Sequence, residues 1–185
     1  MSDSTALRLF RGTGPFEFTG PVLERVLDEL AATIAADGDV SIVIAVANGG
    51  TIPGAGLAAR LAVPLAHVHA KHNRTDAIHT QATGDVAVAF PDGFPDALSG
   101  RVLLVDDICG SGATFTALTT ALEPRLTPGA HIKTVVLCRN EGADRAPDWA
   151  AYTVDDWVVF PWETPPAGIE LVALPSPASL KGRTL

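Results

Sequence analysis

Val102-Leu103-Leu104-Val105-Asp106-Asp107-Ile108-Cys109-Gly110-Ser111-Gly112-Ala113-Thr114 joins an apolar strand to a pair of acids and then to a glycine-rich turn that opens a helix. Glycines permit a tight turn and close backbone approach, the first amides of a helix lack internal partners, and the helix dipole favours an anion there. Ser111 and Thr114 add hydroxyl donors. A phosphate in this turn leaves Asp106 and Asp107 placed to accept hydrogen bonds from a vicinal diol, so a ribose 5-phosphate meets both demands. The plainer possibility, that the acids only end a strand and the glycines only turn the chain, leaves adjacent carboxylates at the end of a buried strand without compensation. Two other phosphate motifs do not fit. The Walker pattern needs a Lys where Ala113 stands, and the dinucleotide pattern needs three spaced glycines where only Gly110 and Gly112 are present.

Working outward, Val22, Leu23, Val26, Leu27, Leu30 and Ile34 recur at helical spacing and predict an amphipathic helix over residues 21–36, stopped by Asp37-Gly38. Residues 40–46 form a β-branched apolar run expected of a strand covered on both faces, followed by the turn Asn48-Gly49-Gly50. A short helix over 52–61, a strand over 64–70, a polar loop over 71–85 and a short strand over 86–90 follow. Strands over 101–105 and 132–139 flank a helix over 112–122. A last strand is predicted over 153–160, interrupted by Asp155-Asp156, before an irregular tail. This alternation implies an α/β fold with a mostly parallel, right-handedly connected sheet, flanking helices and a small hood, in which ligands bind beyond the carboxyl ends of the strands. The chain reads as one domain, 1–185, with its core over about 38–140 and hood segments from the N-terminus and 150–185.

The 185 residues are 47% hydrophobic and 18% charged, which suits a packed domain, and the formal net charge of −8 comes without a Lys/Arg block. Nucleic-acid and membrane partners are not expected. Cys109 and Cys138 are too few for a disulfide framework, and a soluble cytoplasmic protein is the simplest reading. His67 and His69 share one side of a strand with His72 nearby, yet no acid or cysteine completes a metal set. Cys109 has no neighbouring His in sequence to activate it as a nucleophile.

The segment 102–114 resembles the phosphoribosyl diphosphate signature of type I phosphoribosyltransferases, and the likeness extends over about residues 41–163. It is nearest to the small xanthine, guanine and hypoxanthine enzymes. The resemblance implies that Asp106 and Asp107 hold the ribose and are the catalytic acids. It also implies that Cys109, Gly110, Ser111, Gly112, Ala113 and Thr114 hold the 5-phosphate. Asn48, Gly49 and Gly50 match the diphosphate loop, although many purine enzymes carry Lys or Arg where this chain has Asn48. Lys71 and Arg74 are then candidates to close over the diphosphate. Trp157 matches the aromatic that stacks on the base, Val158 the backbone that reads its edge, Ile108 a neighbour of the base, and Arg139 a Lys that contacts a 6-oxo group. Glu163 falls where a carboxylate positions Mg²⁺ or an exocyclic amine.

The implied partners are phosphoribosyl diphosphate and a nucleobase, the implied cofactor is Mg²⁺, and a homodimer or higher homo-oligomer is expected. One departure stands out. The 6-oxopurine enzymes commonly carry an Asp, serving purine N7, where this chain has Gly110. An ordinary purine-type base is the first expectation. A 7-deazapurine, whose ring substituent would use the room left at Gly110, is the second. A non-catalytic regulator that binds phosphoribosyl diphosphate or a nucleotide is the third.

Overall fold

The computed structural model describes residues 8–71 and 86–177. Its first long element is α1 (Gly20–Asp37), which starts where the Thr19 hydroxyl accepts a hydrogen bond from the Val22 amide at 3.4 Å and ends at Gly38. The helical spacing buries Leu23, Val26, Leu27, Leu30 and Ile34, each contributing roughly 1.5–3 kcal/mol of apolar burial. Preceding it is the short strand β1 (Phe16–Glu17). The order continues β2 (Ile42–Ala47), α2 (Thr51–Leu61), β3 (Leu65–Lys71), β4 (Ala87–Ala89), β5 (Arg101–Cys109), α3 (Ala113–Leu122), β6 (His131–Asn140), β7 (Trp149–Val154), β8 (Val158–Val159) and β9 (Val172–Ala173).

Six strands form the main sheet in the order β4-β3-β2-β5-β6-β7, parallel except for β4. The apolar runs of β2 and β5 lie at its centre, as expected of strands covered on both faces. Leu103 and Val105 face the cluster made with α1 and α2, while Val102 and Leu104 face the cluster made with α3. Close helix packing uses a glycine: a Cβ on Gly54 of α2 would lie 2.6 Å from the Ala45 Cβ of β2. A second, all-parallel sheet, ordered β8-β1-β9, lies in the segments expected to make the hood, and its Phe16 and Val158 share the α1-side core with the main sheet.

Two expectations are corrected. The strand expected over 101–105 continues through both acids to Cys109, because β6 goes on pairing with it (Asp106↔Val136, Ile108↔Cys138, Cys109↔Arg139). The single strand expected over 153–160 is two strands in two sheets. Its first part is the end of β7, which completes the main sheet beyond residue 140, and its second part is β8. Asp156, fully buried, makes the transition: its carboxylate accepts from the amides of Gly14 (3.2 Å) and Trp157 (2.7 Å). An apolar period cannot reveal such a break, since both halves are apolar.

The N-terminal residues are tied to the same region. Asn140, fully buried at the end of β6, accepts from the Leu9 amide (2.8 Å) and the Gly142 amide (2.9 Å) and donates to the Leu9 carbonyl (3.0 Å). Asn140→Ala orphans these backbone groups, and it is expected to cost about 1–3 kcal/mol in urea denaturation and to speed proteolysis ahead of Phe16.

Candidate active site

The centre of the site lies where β2 and β5, neighbours in the sheet, reach their carboxyl ends. After β2 the chain turns tightly: the Ala47–Asn48 peptide is cis, the Gly50 amide donates to the Val46 carbonyl (2.7 Å), and the Thr51 amide donates to the Asn48 carbonyl (3.2 Å). Only glycine fits at two positions here. A Cβ on Gly49 would overlap the Asp107 carboxyl, and one on Gly50 would overlap the Val105 carbonyl oxygen. The Gly50 amide also interacts with the Asp106 carboxylate. The expected diphosphate turn and the expected ribose acids are therefore in direct contact.

Asp106 and Asp107 keep partial solvent contact but sit deep among protein atoms. Burial raises both carboxyls, reinforced for Asp106 by the adjacent Asp107 charge and for Asp107 by Glu163. Backbone amides oppose the rise, including the Asp107 amide, which donates to Asp106 Oδ1 at 3.0 Å. Asp107 is pushed up to about 7. The turn after β5 has its own glycine requirement: Gly112 has φ +94°, and a Cβ there would lie 3.0 Å from that of Arg145. The Ser111 hydroxyl accepts from the Ala113 amide (3.3 Å), and α3 begins at Ala113, with Thr114 in its first turn. Cys109 is buried, its thiol directed to the Arg145 carbonyl (3.5 Å) and pushed up to about 11, mainly by burial. A thiol held protonated in this way is not a nucleophile.

The other predicted residues divide. Asn48 is exposed on the turn and brings no charge. Lys71 is exposed at the end of β3, and Arg74 lies outside the described residues. Ile108 packs against the α1-side core. Arg139 stands opposite Cys109 in register, and its charge acts on that thiol, which places it beside the turn expected to hold phosphate. Trp157 is half-buried just before β8. The Trp157 and Val159 carbonyls accept from the amides of Phe16 and Phe18 (2.8 and 2.9 Å), so strand alternation turns the backbone groups of Val158 toward the open edge of the hood sheet. Glu163 accepts from the Phe160 amide (3.0 Å) and acts electrostatically on Asp107.

Sequence reasoning missed Arg8 and Phe10. The Arg8 guanidinium lies 4.5 Å from the Trp157 ring centroid, and Phe10 stacks beside that ring with centroids 6.3 Å apart. Asp107 and Glu163 both act on Arg8. The alternation of Arg8-Leu9-Phe10-Arg11 is a faint strand-like signal that says nothing of a site. The Arg8 side chain stands beside Gly110: a Cβ there would lie 3.5 Å from Arg8 Cδ, an ordinary contact.

Among the described residues no group of three His, Cys, Asp or Glu side chains is arranged to hold a metal alone. Asp107 and Glu163 are oxygen donors, and the charge of Glu163 raises the proton affinity of Asp107, so the pair would suit a hard divalent cation whose remaining ligands came from a bound diphosphate. Mg²⁺ would fit here as a partner of substrate.

A folded-state carboxyl raised from 3.8 to about 7 holds its proton while the unfolded chain has lost it, so Asp107 makes stability fall as pH rises through that window. Asp107→Asn removes this dependence. In ligand-free protein the variant is expected to be more stable than wild type by about 1–3 kcal/mol above neutrality, the two converging near pH 4, as measured by urea denaturation across pH.

Comparison with known proteins agrees with this geometry. The family model described as a phosphoribosyl transferase domain matches residues 18–167. A purine phosphoribosyltransferase from Pyrococcus horikoshii superposes with a TM-score of 0.70 at 25% identity, covering 84% of this chain and 97% of that one. A hypothetical protein from Neisseria gonorrhoeae with bound ppGpp gives 0.66 at 25% identity over 81% and 90% of the two chains. The xanthine-guanine-hypoxanthine enzyme of Helicobacter pylori gives 0.65 at 18% identity over 80% and 93%, a likeness of fold. No curated protein matches in sequence. With the family match spanning most of the chain and the two glycine turns meeting at one pair of acids, the chain belongs to the phosphoribosyltransferase family.

Proposed function

We propose that the protein transfers ribose 5-phosphate from phosphoribosyl diphosphate to a purine-type nucleobase, releasing diphosphate and forming a nucleoside 5′-monophosphate. The contact of the Asp107 carboxyl with the Gly49 backbone carries this reading, because it sets a diol-binding acid directly against an amide turn suited to the leaving diphosphate. Residues 109–114 would take the 5-phosphate at the start of α3. Asp106 and Asp107 would hold the ribose hydroxyls and steady the positive charge that grows at C1 as the C1–oxygen bond lengthens. The Gly49 and Gly50 backbone would receive the departing diphosphate, with Lys71 and Arg74 as candidates to close over it. Mg²⁺, when bound with the donor, would neutralise diphosphate charge.

On the acceptor side the Trp157 ring would stack on the base, and the outward backbone of Val158 would read its edge. Ile108 flanks this region, and Arg139 would donate to an oxo group only by reaching past the phosphate turn. A regulatory reading draws on one observation, the ppGpp bound to the gonococcal relative. Tight ligand binding with no diphosphate release from any base would favour it.

Diphosphate release with guanine, hypoxanthine, xanthine, adenine and 7-cyano-7-deazaguanine tests the proposal, and turnover with at least one natural purine is the expected result. Asp107→Asn is expected to lower kcat/KM for phosphoribosyl diphosphate about 100-fold or more, and Trp157→Ala to raise KM for the base about tenfold with a smaller change in kcat. Wild-type kinetics in both variants would refute the site assignment.

A further inference from the structure

The turn that follows β5 carries no cation of its own. From Cys109 to Thr114 the chain has no charged side chain, Asp106 and Asp107 stand just before it, and the Ala113 amide is already engaged by the Ser111 hydroxyl (3.3 Å). A phosphate dianion there would meet backbone dipoles and hydroxyls with two acids close by. Positive charge has to come from another part of the chain.

Two arginines stand where it is needed. Ile108 and Cys138, paired in β5 and β6, both face the α1-side core, so the next pair, Cys109 and Arg139, turns to the other face, where Cys109 packs in the cluster around α3. Arg139 is thereby set on the side of the phosphate turn, away from Ile108 and Val158, which belong with the α1-side core. Arg145 lies on the loop between β6 and β7. Its backbone runs along the turn: a Cβ on Gly112 would lie 3.2 Å from the Arg145 carbonyl oxygen, which accepts from the Cys109 thiol (3.5 Å). Both guanidinium charges act on that thiol.

Neither arginine is spent on an acid. Arg60, Arg101, Arg125 and Lys133 each meet a carboxylate, whereas Arg139 and Arg145 make no ion pair among the described residues. Arg139 Nε is enclosed by the fold and has no hydrogen-bond partner there. Its cross-strand neighbours, Cys109 and Thr153, bring no negative charge. Asp106, the acid whose field reaches the same thiol, is engaged by the amides of Asp107 and Gly50. A guanidinium keeps its charge at any working pH and can present two parallel donors to phosphate oxygens.

We propose that Arg139 and Arg145 are binding residues for the 5-phosphate, holding it from the α3 side against the amides of the turn, so that Arg139 serves the phosphate rather than an oxo group of the base. This rests on the phosphoribosyl-transfer reading above. The charge that the turn lacks comes from the neighbouring strand and the loop after it.

Calorimetric titration of the full chain separates the two roles of Arg139. Phosphoribosyl diphosphate with Mg²⁺ carries the 5-phosphate without a base, and the monophosphates of guanosine, inosine and adenosine carry both. Arg139→Gln is expected to weaken the base-free ligand about tenfold or more, and any monophosphate that wild type binds by the same factor. Arg139→Lys should retain part of the affinity. Arg145→Gln, at an exposed position, is expected to weaken both kinds of ligand by a smaller factor that shrinks further as salt is raised. A urea midpoint equal to wild type shows that a variant is folded; should Arg139→Gln lower it, Arg139→Lys and Arg145→Gln decide the matter. Undiminished binding of phosphoribosyl diphosphate in the arginine variants, with or without a loss confined to the monophosphates, would overturn this inference alone. Failure of wild type to bind any of these ligands overturns the phosphoribosyl reading with it.

Discussion

The contact between the Asp107 carboxyl and the backbone of Gly49 is the constraint around which the site is arranged. It requires β2 and β5 to be neighbours, both to end at the same level, and the turn after β2 to carry no side chain on its inner surface. The first two conditions follow from parallel pairing, which registers Ile42 with Val102 and Ala45 with Val105 and brings both carboxyl ends to one edge. Glycine at 49 meets the third. Gly50 repeats the arrangement against the Val105 carbonyl and contributes its amide to Asp106. The acids, the turn and the sheet centre are thus one rigid unit.

That unit carries an electrostatic cost. Two adjacent carboxylates packed in this way raise their own proton affinity, and Glu163 raises it further for Asp107. A ligand supplying hydroxyl donors, with a divalent cation accompanying its diphosphate, would offset the cost directly. The charge of Arg8 supplies part of the compensation for Asp107, and it comes from the N-terminal segment rather than from the sheet. On the proposed reading the division is physically sensible: the sheet would supply fixed geometry for the donor sugar, and the hood a variable surface for the acceptor.

Much of this was legible in the chain. The run 102–105, the acid pair and the Gly110–Gly112 turn named the sheet centre and the start of the helix after it, because strand burial, helix-start amides and glycine permissiveness are local properties. The helix over 21–36 was legible for the same reason, its apolar stripe matching the buried residues of α1 nearly one for one. Less was visible where segments distant in sequence meet. The split of 153–160 between two sheets depends on Asp156 bonding to Gly14. The position of Arg139 beside Cys109 depends on the register of β5 and β6.

The sequence by itself determined the fold class and the placing of the acids and glycines at the carboxyl ends of the central strands, since each rests on interactions within a few residues of chain. Tertiary structure alone decided what stands beside Gly110. The absence of a side chain there reads as open space in the sequence, yet the Arg8 side chain stands beside it, next to a Leu9 backbone held by the buried Asn140 at the end of β6. No local pattern encodes that pairing, because it is set by how the N-terminal segment docks on the sheet.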